Sequence, residues 1–149
     1  MAVYREVPYG RARFEVDLGA GDDPSTGYGF FHVVPPRGVI TVADYQSGSK
    51  RTHAPHEVPG PAHMDRVLLR RGLTGALDLF AWWKAVLDGQ GGVDRTARIY
   101  LLDDDGGIVL TWTLFGAWPA VYGVEPLVAG SSDQAVEFVE LAYDSFEVE

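Results

Sequence analysis

Residues 96–115, TARIYLLDDDGGIVLTWTLF, decide the class of fold. Two runs rich in β-branched and aromatic residues, 96–102 and 108–115, flank DDDGG, where Asp and Gly supply turn chemistry. In the second run Ile108, Leu110, Trp112 and Leu114 alternate with Val109, Thr111, Thr113 and Phe115, a period of two. The stretch reads as a β-hairpin with a five-residue turn. Working outward, residues 12–18 place Phe14, Val16 and Leu18 on one face and Arg13, Glu15 and Asp17 on the other, as a half-buried strand does. Residues 28–34, YGFFHVV, read as a second strand stopped by Pro35 and Pro36. Residues 38–45, GVITVADY, are a third, and MDRVLLRRG, 64–72, a fourth. AWPAVYGVEP, 117–126, is expected to break at Pro119 and Pro126. The terminal QAVEFVELAYDSFEVE admits helical spacing, but its Val, Phe and Tyr content favours a strand.

One segment breaks the pattern. In LRRGLTGALDLFAWWKAVLDG, 69–89, the residues Ala76, Leu79, Phe80, Trp83, Val86 and Leu87 recur at helical spacing and form one apolar stripe. Thr74 suits an N-cap and Gly89 a left-handed C-cap. Trp82 lies off the stripe, so the expectation is a helix over about 75–88 with Trp82 turned outward. Residues 46–63, with three prolines and almost no apolar side chains, are expected to form a long projecting loop. The fold class is therefore mainly β, with two antiparallel sheets forming a β-sandwich or partial barrel and one flanking helix, in a single domain over 1–149.

The composition narrows the function. The chain has 149 residues, enough to bury about two-thirds of its unfolded surface. It contains no cysteine, which removes disulfides, thiolate metal sites and thiol nucleophiles. No apolar run approaches the length of a membrane span, and the first residues carry no signal-peptide core, so synthesis in the cytoplasm is expected. The net charge of −9 argues against binding to nucleic acid or anionic membranes. Residues 1–72 hold nine basic and eight acidic residues, whereas 73–149 hold three and thirteen. Such a division suits either solvated acidic faces or unlike faces meeting head to tail.

No reactive constellation emerges. His53, His56 and His63 share one Pro/Gly-rich segment, which lacks the stiff frame that a zinc site needs. The contiguous aspartates of DDDGG lack calcium-loop spacing, and turn chemistry accounts for them. There is no nucleophile elbow, P-loop or dinucleotide fingerprint. Glu137 and Glu140 are too ordinary in an acidic chain to signal acid–base catalysis. The chain is read as no enzyme, with neither cofactor nor metal.

The order of segments is more specific than any motif. RFEVDLG, a GF strand, a strand ending in DY, a polar loop with PGP, VLLRRGLTGALDLFAWWKAVLDG, ARIYLLDDDGGIVLTWTLFGAWPAVY and AVEFVELAYDSFEVE follow one another across nearly the whole chain. In this the sequence resembles the tail tube proteins of contractile phages and the inner tube proteins of contractile injection systems. The resemblance implies a structural protomer: six copies close into a ring, and rings stack into a hollow conduit inside a contractile sheath. The implied partners are further copies of the chain, the sheath, baseplate and spike, tube-terminating proteins, and cargo in the lumen. Assembly would occur in the cytoplasm, within a phage tail or a particle that is released. It also implies that the 46–63 segment reaches a neighbouring subunit or ring, which makes Tyr45, Lys50, Arg51, His53 and His56 candidate contacts. Trp82 is the candidate contact on the outer surface, toward the sheath. Pro35 and Pro36 depart from the small polar residues of the family pattern. The alternative from another class is a monomeric small β-barrel that binds a ligand.

Overall fold

A computed structural model of the chain describes residues 1–19, 29–45, 48 and 56–149. In chain order the elements are β1 (Phe14–Asp17), β2 (Phe30–Val34), β3 (Arg37–Tyr45), β4 (His56–Asp65), β5 (Val67–Gly72), α1 (Asp78–Leu87), β6 (Arg95–Leu102), β7 (Ile108–Val124), β8 (Val136–Ala142) and β9 (Ser145–Val148). All strand pairs are antiparallel. The mainly β architecture with one helix matches the sequence reading. The 103–107 turn joins β6 to β7, and the terminal segment forms β8 and β9 rather than a helix.

The 17 residues of β7 hold the two sheets together. Its first part pairs with β6 on one side and β9 on the other, and β1 adds beyond β6. From Trp118 onward it pairs with β8, followed by β5 and β2. The change of sheet falls between Ala117 and Trp118, just after Gly116, which has φ +66° and where a Cβ would drive into the Asp144 carboxylate, only 2.9 Å from its Cγ. The expected break at Pro119 does not occur. Pro119 is buried within β7, beside a register shift between Pro119 and Val121. A bulge is one of the few places where a sheet accepts a residue with no N–H.

The alternation read from the sequence points into one core. Val16 and Leu18, Val67 and Leu69, Ala97 and Ile99, and Val139 and Leu141 are all buried there, with Leu114, Ala117 and Tyr143. The helix covers this core with a face rotated from the expected stripe, of which Leu79 and Val86 still pack inward. Leu79 and Trp82 are buried, whereas Phe80 and Leu87 are 39% and 60% exposed. The Trp82 indole donates its Nε1–H to the Val93 carbonyl at 2.8 Å, and the Arg95 guanidinium lies 4.2 Å from its ring centre. Trp82 is thus a core residue, and its assignment to the outer surface is corrected.

The helix also begins later than expected. Residue 77 occupies the N-cap position without a side-chain cap, and Thr74 lies outside the helix. Asp78 opens the first turn, where its negative charge meets the positive end of the helix dipole. The C-terminus is as expected, with Gly89 at φ +71°.

The two apolar stripes of α1 therefore make opposite demands. Trp82→Ala should lower unfolding free energy by about 3–5 kcal/mol through lost packing, whereas Leu87→Ala should stay within about 0.5 kcal/mol. Urea titrations of the two variants check this, and the reverse order would restore the stripe of Phe80, Trp83 and Leu87 as the buried one.

Candidate assembly interface

The chain leaves β2 through Pro35 and Pro36 into β3, and leaves β4 through Arg66 into β5. Val34 pairs with Leu68 and Arg37 pairs with Asp65, so one register runs through both halves. The lower half is the edge of a sheet. Among the described residues the upper half, β3 with β4, pairs only with itself and forms a separate two-stranded ribbon.

This ribbon corrects the expected loop. Residues 56–63 are strand, and the segment that looked unstructured contributes most of β4. Its prolines misled because they exclude a central strand, yet both strands of a lone ribbon are edges, where Pro is tolerated. Thr41 donates its hydroxyl to the Pro61 carbonyl, adding a cross-strand bond. Ile40 and Val42, 60% and 58% exposed, are opposed by Ala62 and Pro59, and Val58 is exposed as well. A two-stranded ribbon with apolar residues facing water is marginal alone and offers free edges.

The candidate contacts distribute unevenly on it. The Tyr45 and His56 backbones form the last described pair of the ribbon, and His56 is exposed. Lys50, Arg51 and His53 lie outside the described residues. His63 stands at the other end of β4 from His56, 3.5 Å from Asp65.

A second opening lies between the sheets. β7 joins them on one side, but the facing edges, β1 and β2, have no strand between them among the described residues. A cleft of about 770 Å³ sits there, lined by Phe14, Ile99, Leu101 and Trp112 from one sheet and Phe31 and Val33 from the other. The barrel is open along this seam.

Between cleft and helix the core holds charge. Arg71, 4% exposed, donates Nε–H to Glu137 Oε1 at 2.5 Å and its terminal nitrogens to Asp78. Glu137 is fully buried, and its other oxygen accepts the Tyr122 hydroxyl at 3.0 Å. Burial works to lower the Arg71 pKa, but hydrogen bonds to Asp78 and Glu137 outweigh it and leave the pKa raised. Burial likewise raises Tyr122, helped by Glu137. Every buried side-chain donor and acceptor among the described residues has a partner, so the cluster is a closed structural network. Sequence reading overlooked it, although a signal existed: Arg71 and Glu137 occupy inward positions in VLLRRG and VEFVEL.

On the opposite face of the same sheet Arg70 donates to Glu125 at 2.5 Å, which holds the Glu125 carboxyl below the usual carboxylate range. A depressed folded-state pKa adds stability above the unfolded value, and that stability is lost as pH falls through the folded value. Glu125→Gln should therefore lower the melting temperature slightly at neutral pH and flatten the acid limb, the two proteins converging below about pH 4. Arg71→Met strands Glu137 and Asp78 and should cost about 3–5 kcal/mol in urea unfolding. A cost below 1 kcal/mol would show that the cluster does not hold the helix.

The folds and sequences of known proteins bear on these surfaces. No curated protein sequence matches the chain. Among solved structures, a chain in the cryo-EM structure of the anti-feeding prophage baseplate superposes with a TM-score of 0.84 at 22% identity, covering 97% of both chains. One from the sheath–tube complex of the PVC extracellular contractile injection system gives 0.82 at 24% identity, covering 97% of this chain and 93% of that one. Hcp1 from Flavobacterium johnsoniae is more distant, at 0.56 and 15% identity over 91% and 93%. These likenesses establish a shared fold. The profile of the T4-like virus tail tube protein gp19 family matches residues 11–147, and the chain belongs to that family.

Proposed function

We propose that this tail tube protein is a single-domain protomer of which six copies close into a ring, rings stacking into a hollow conduit inside a contractile sheath. The observation that carries the reading is the β3–β4 ribbon. It is too exposed to be stable alone, and among the described residues neither of its edges pairs with its own subunit. A neighbouring copy covers it, with Tyr45, Lys50, Arg51, His53 and His56 as the contact residues.

The solved structures with this fold include chains from a sheath–tube complex, a baseplate and a tube-terminating cap. By analogy the partners of this chain are a sheath, a baseplate with its spike and a terminator, with cargo in the lumen. The role is structural, without catalysis or cofactor. The chain is made and assembled in the cytoplasm, as part of a phage tail or a released injection particle. With Trp82 buried, the outward aromatic candidate on α1 becomes Phe80, with Leu87 beside it.

The cleft favours one other reading, since its volume falls in the range of small-molecule sites. A ligand-binding barrel, however, leaves the ribbon without a purpose.

Replacing Ile40 and Val42 together by Asp tests the tube reading. The protein is expressed alone and together with the genes that neighbour its own, and is followed by sedimentation and negative-stain micrographs. Wild-type protein should yield rings or tubes, and the double variant should remain a folded monomer, its stability changed by no more than about 0.5 kcal/mol per site. Normal tubes from the variant would remove the ribbon from the interface.

A further inference from the structure

The ribbon touches the body where it departs from it. At that joint Pro35 and Pro36 have no N–H to give, so the ladder between β2–β5 and β3–β4 is interrupted. Direction must then come from something beside the ladder.

Four contacts converge there. Tyr143, 9% exposed, follows β8 and donates its hydroxyl to the Asp65 carbonyl at 2.6 Å. The Asp65 carboxylate meets Arg37 Nε at 2.6 Å and His63 Nε2 at 3.5 Å. One residue further out, Gly38 lies so near β9 that a Cβ would stand 3.4 Å from the Phe146 ring and 3.3 Å from Met64 Sδ. Tyr143 and Phe146 meet edge to face, their centres 6.2 Å apart. The corner between β8 and β9 is thus a block against which the root of the ribbon rests.

Packing alone does not call for a hydroxyl at 143, where phenylalanine would fill the same space. Its recorded hydrogen bond goes to the backbone of the root, not to its own sheet. A bond to backbone restrains the strand itself rather than a side chain that can swing. Burial pushes the Tyr143 phenol up, with a backbone hydrogen bond from Arg37 opposing it, so the hydroxyl stays protonated and able to donate at neutral pH.

We infer that the Tyr143–Phe146 corner is a brace that aims the β3–β4 ribbon toward a second copy of this chain. Tyr143 is then a positioning residue for assembly, acting through the Asp65 backbone without touching the partner. The inference rests on the reading of the ribbon as the element that joins copies. When only a fraction of protomers hold the docking direction, the apparent affinity for a neighbour falls by that fraction.

The chain has no cysteine, so a pair introduced at Ala43 on the ribbon and Asp104 in the β6–β7 turn carries spin labels at those two points alone. Distance distributions are measured in dilute monomer for the wild-type background, Tyr143→Phe, Asp65→Asn and Ile99→Val. The last is a core change that removes none of the four contacts at the joint, which matches loss of stability without loss of the brace. Tyr143→Phe should broaden the distribution and raise the protein concentration needed for tubes roughly tenfold, as expected if about a tenth of protomers keep the docking direction. Ile99→Val should do neither. Asp65→Asn, at a partly exposed carboxylate, should broaden the distribution less, and it serves if Tyr143→Phe fails to fold.

A distribution as narrow as wild type in the joint variants would overturn the brace. So would a broad one with an unchanged assembly threshold, or equal assembly defects in Tyr143→Phe and Ile99→Val. A wild-type chain that never assembles, even with its neighbouring genes, would instead overturn the tube reading, and with it the purpose assigned to the brace but not its mechanics.

Discussion

A guanidinium withdrawn from water at Arg71 must have its charge met, and the surrounding fold is arranged around that requirement. Glu137 comes from β8, Asp78 from the start of α1, and Tyr122 from the second half of β7. Three elements, two of them distant in sequence, are thereby tied to β5. The cluster also sets the rotation of the helix. Asp78 and Trp82 are four residues apart and share a face, so drawing Asp78 to Arg71 carries Trp82 into the core. The price is that Phe80 and Leu87 turn outward, and a helix with two apolar stripes is left with one uncovered.

The second constraint is that every strand edge needs an answer. β7 passes from one sheet to the other just after Gly116, so a single strand closes the sandwich along one side. The other side stays open between β1 and β2, and the ribbon adds two more edges. Within one copy these edges have no partners among the described residues. Repetition of the subunit, as proposed above, would supply partners without new chemistry, as it does wherever edges pair between identical chains. The charge division along the sequence is compatible with unlike faces meeting in such a stack.

Much of this was legible because strand periodicity survives in plain sequence. The 96–115 hairpin, the alternation of β1 and the strand character of the terminal segment needed only the period of two and the turn residues. Failures occurred where one residue had two physical readings. Pro59 and Pro61 argued for a loop, yet a lone ribbon has no central strand for them to disrupt. Pro119 argued for a break, yet it sits beside a bulge in the strand that joins the sheets. Trp82 fell off the strongest stripe, because the stripe counted apolar residues and gave Asp78 no part in turning the helix. Its ion pair with Arg71 depends on a strand contact that no local pattern encodes. The interface role proposed for this segment came to the sequence reading only through resemblance, and the ribbon's position came from the fold.

A chain that exposes edges and apolar residues must still avoid joining the wrong neighbours. The features that disguised β4 as a loop serve this end. Pro59 and Pro61 remove backbone donors from one edge of the ribbon, so a stray strand cannot complete a ladder there. Asp44, Glu57, His56 and His63 place polar groups among Ile40, Val42 and Val58, which breaks any continuous apolar surface. Each single contact is then weak, and only a neighbour that engages several at once is retained. The proposed ring would meet that condition, since closure adds a contact without adding a subunit. Selectivity therefore comes from geometry more than from the strength of any one bond, which is why the direction of the ribbon carries as much weight as its chemistry.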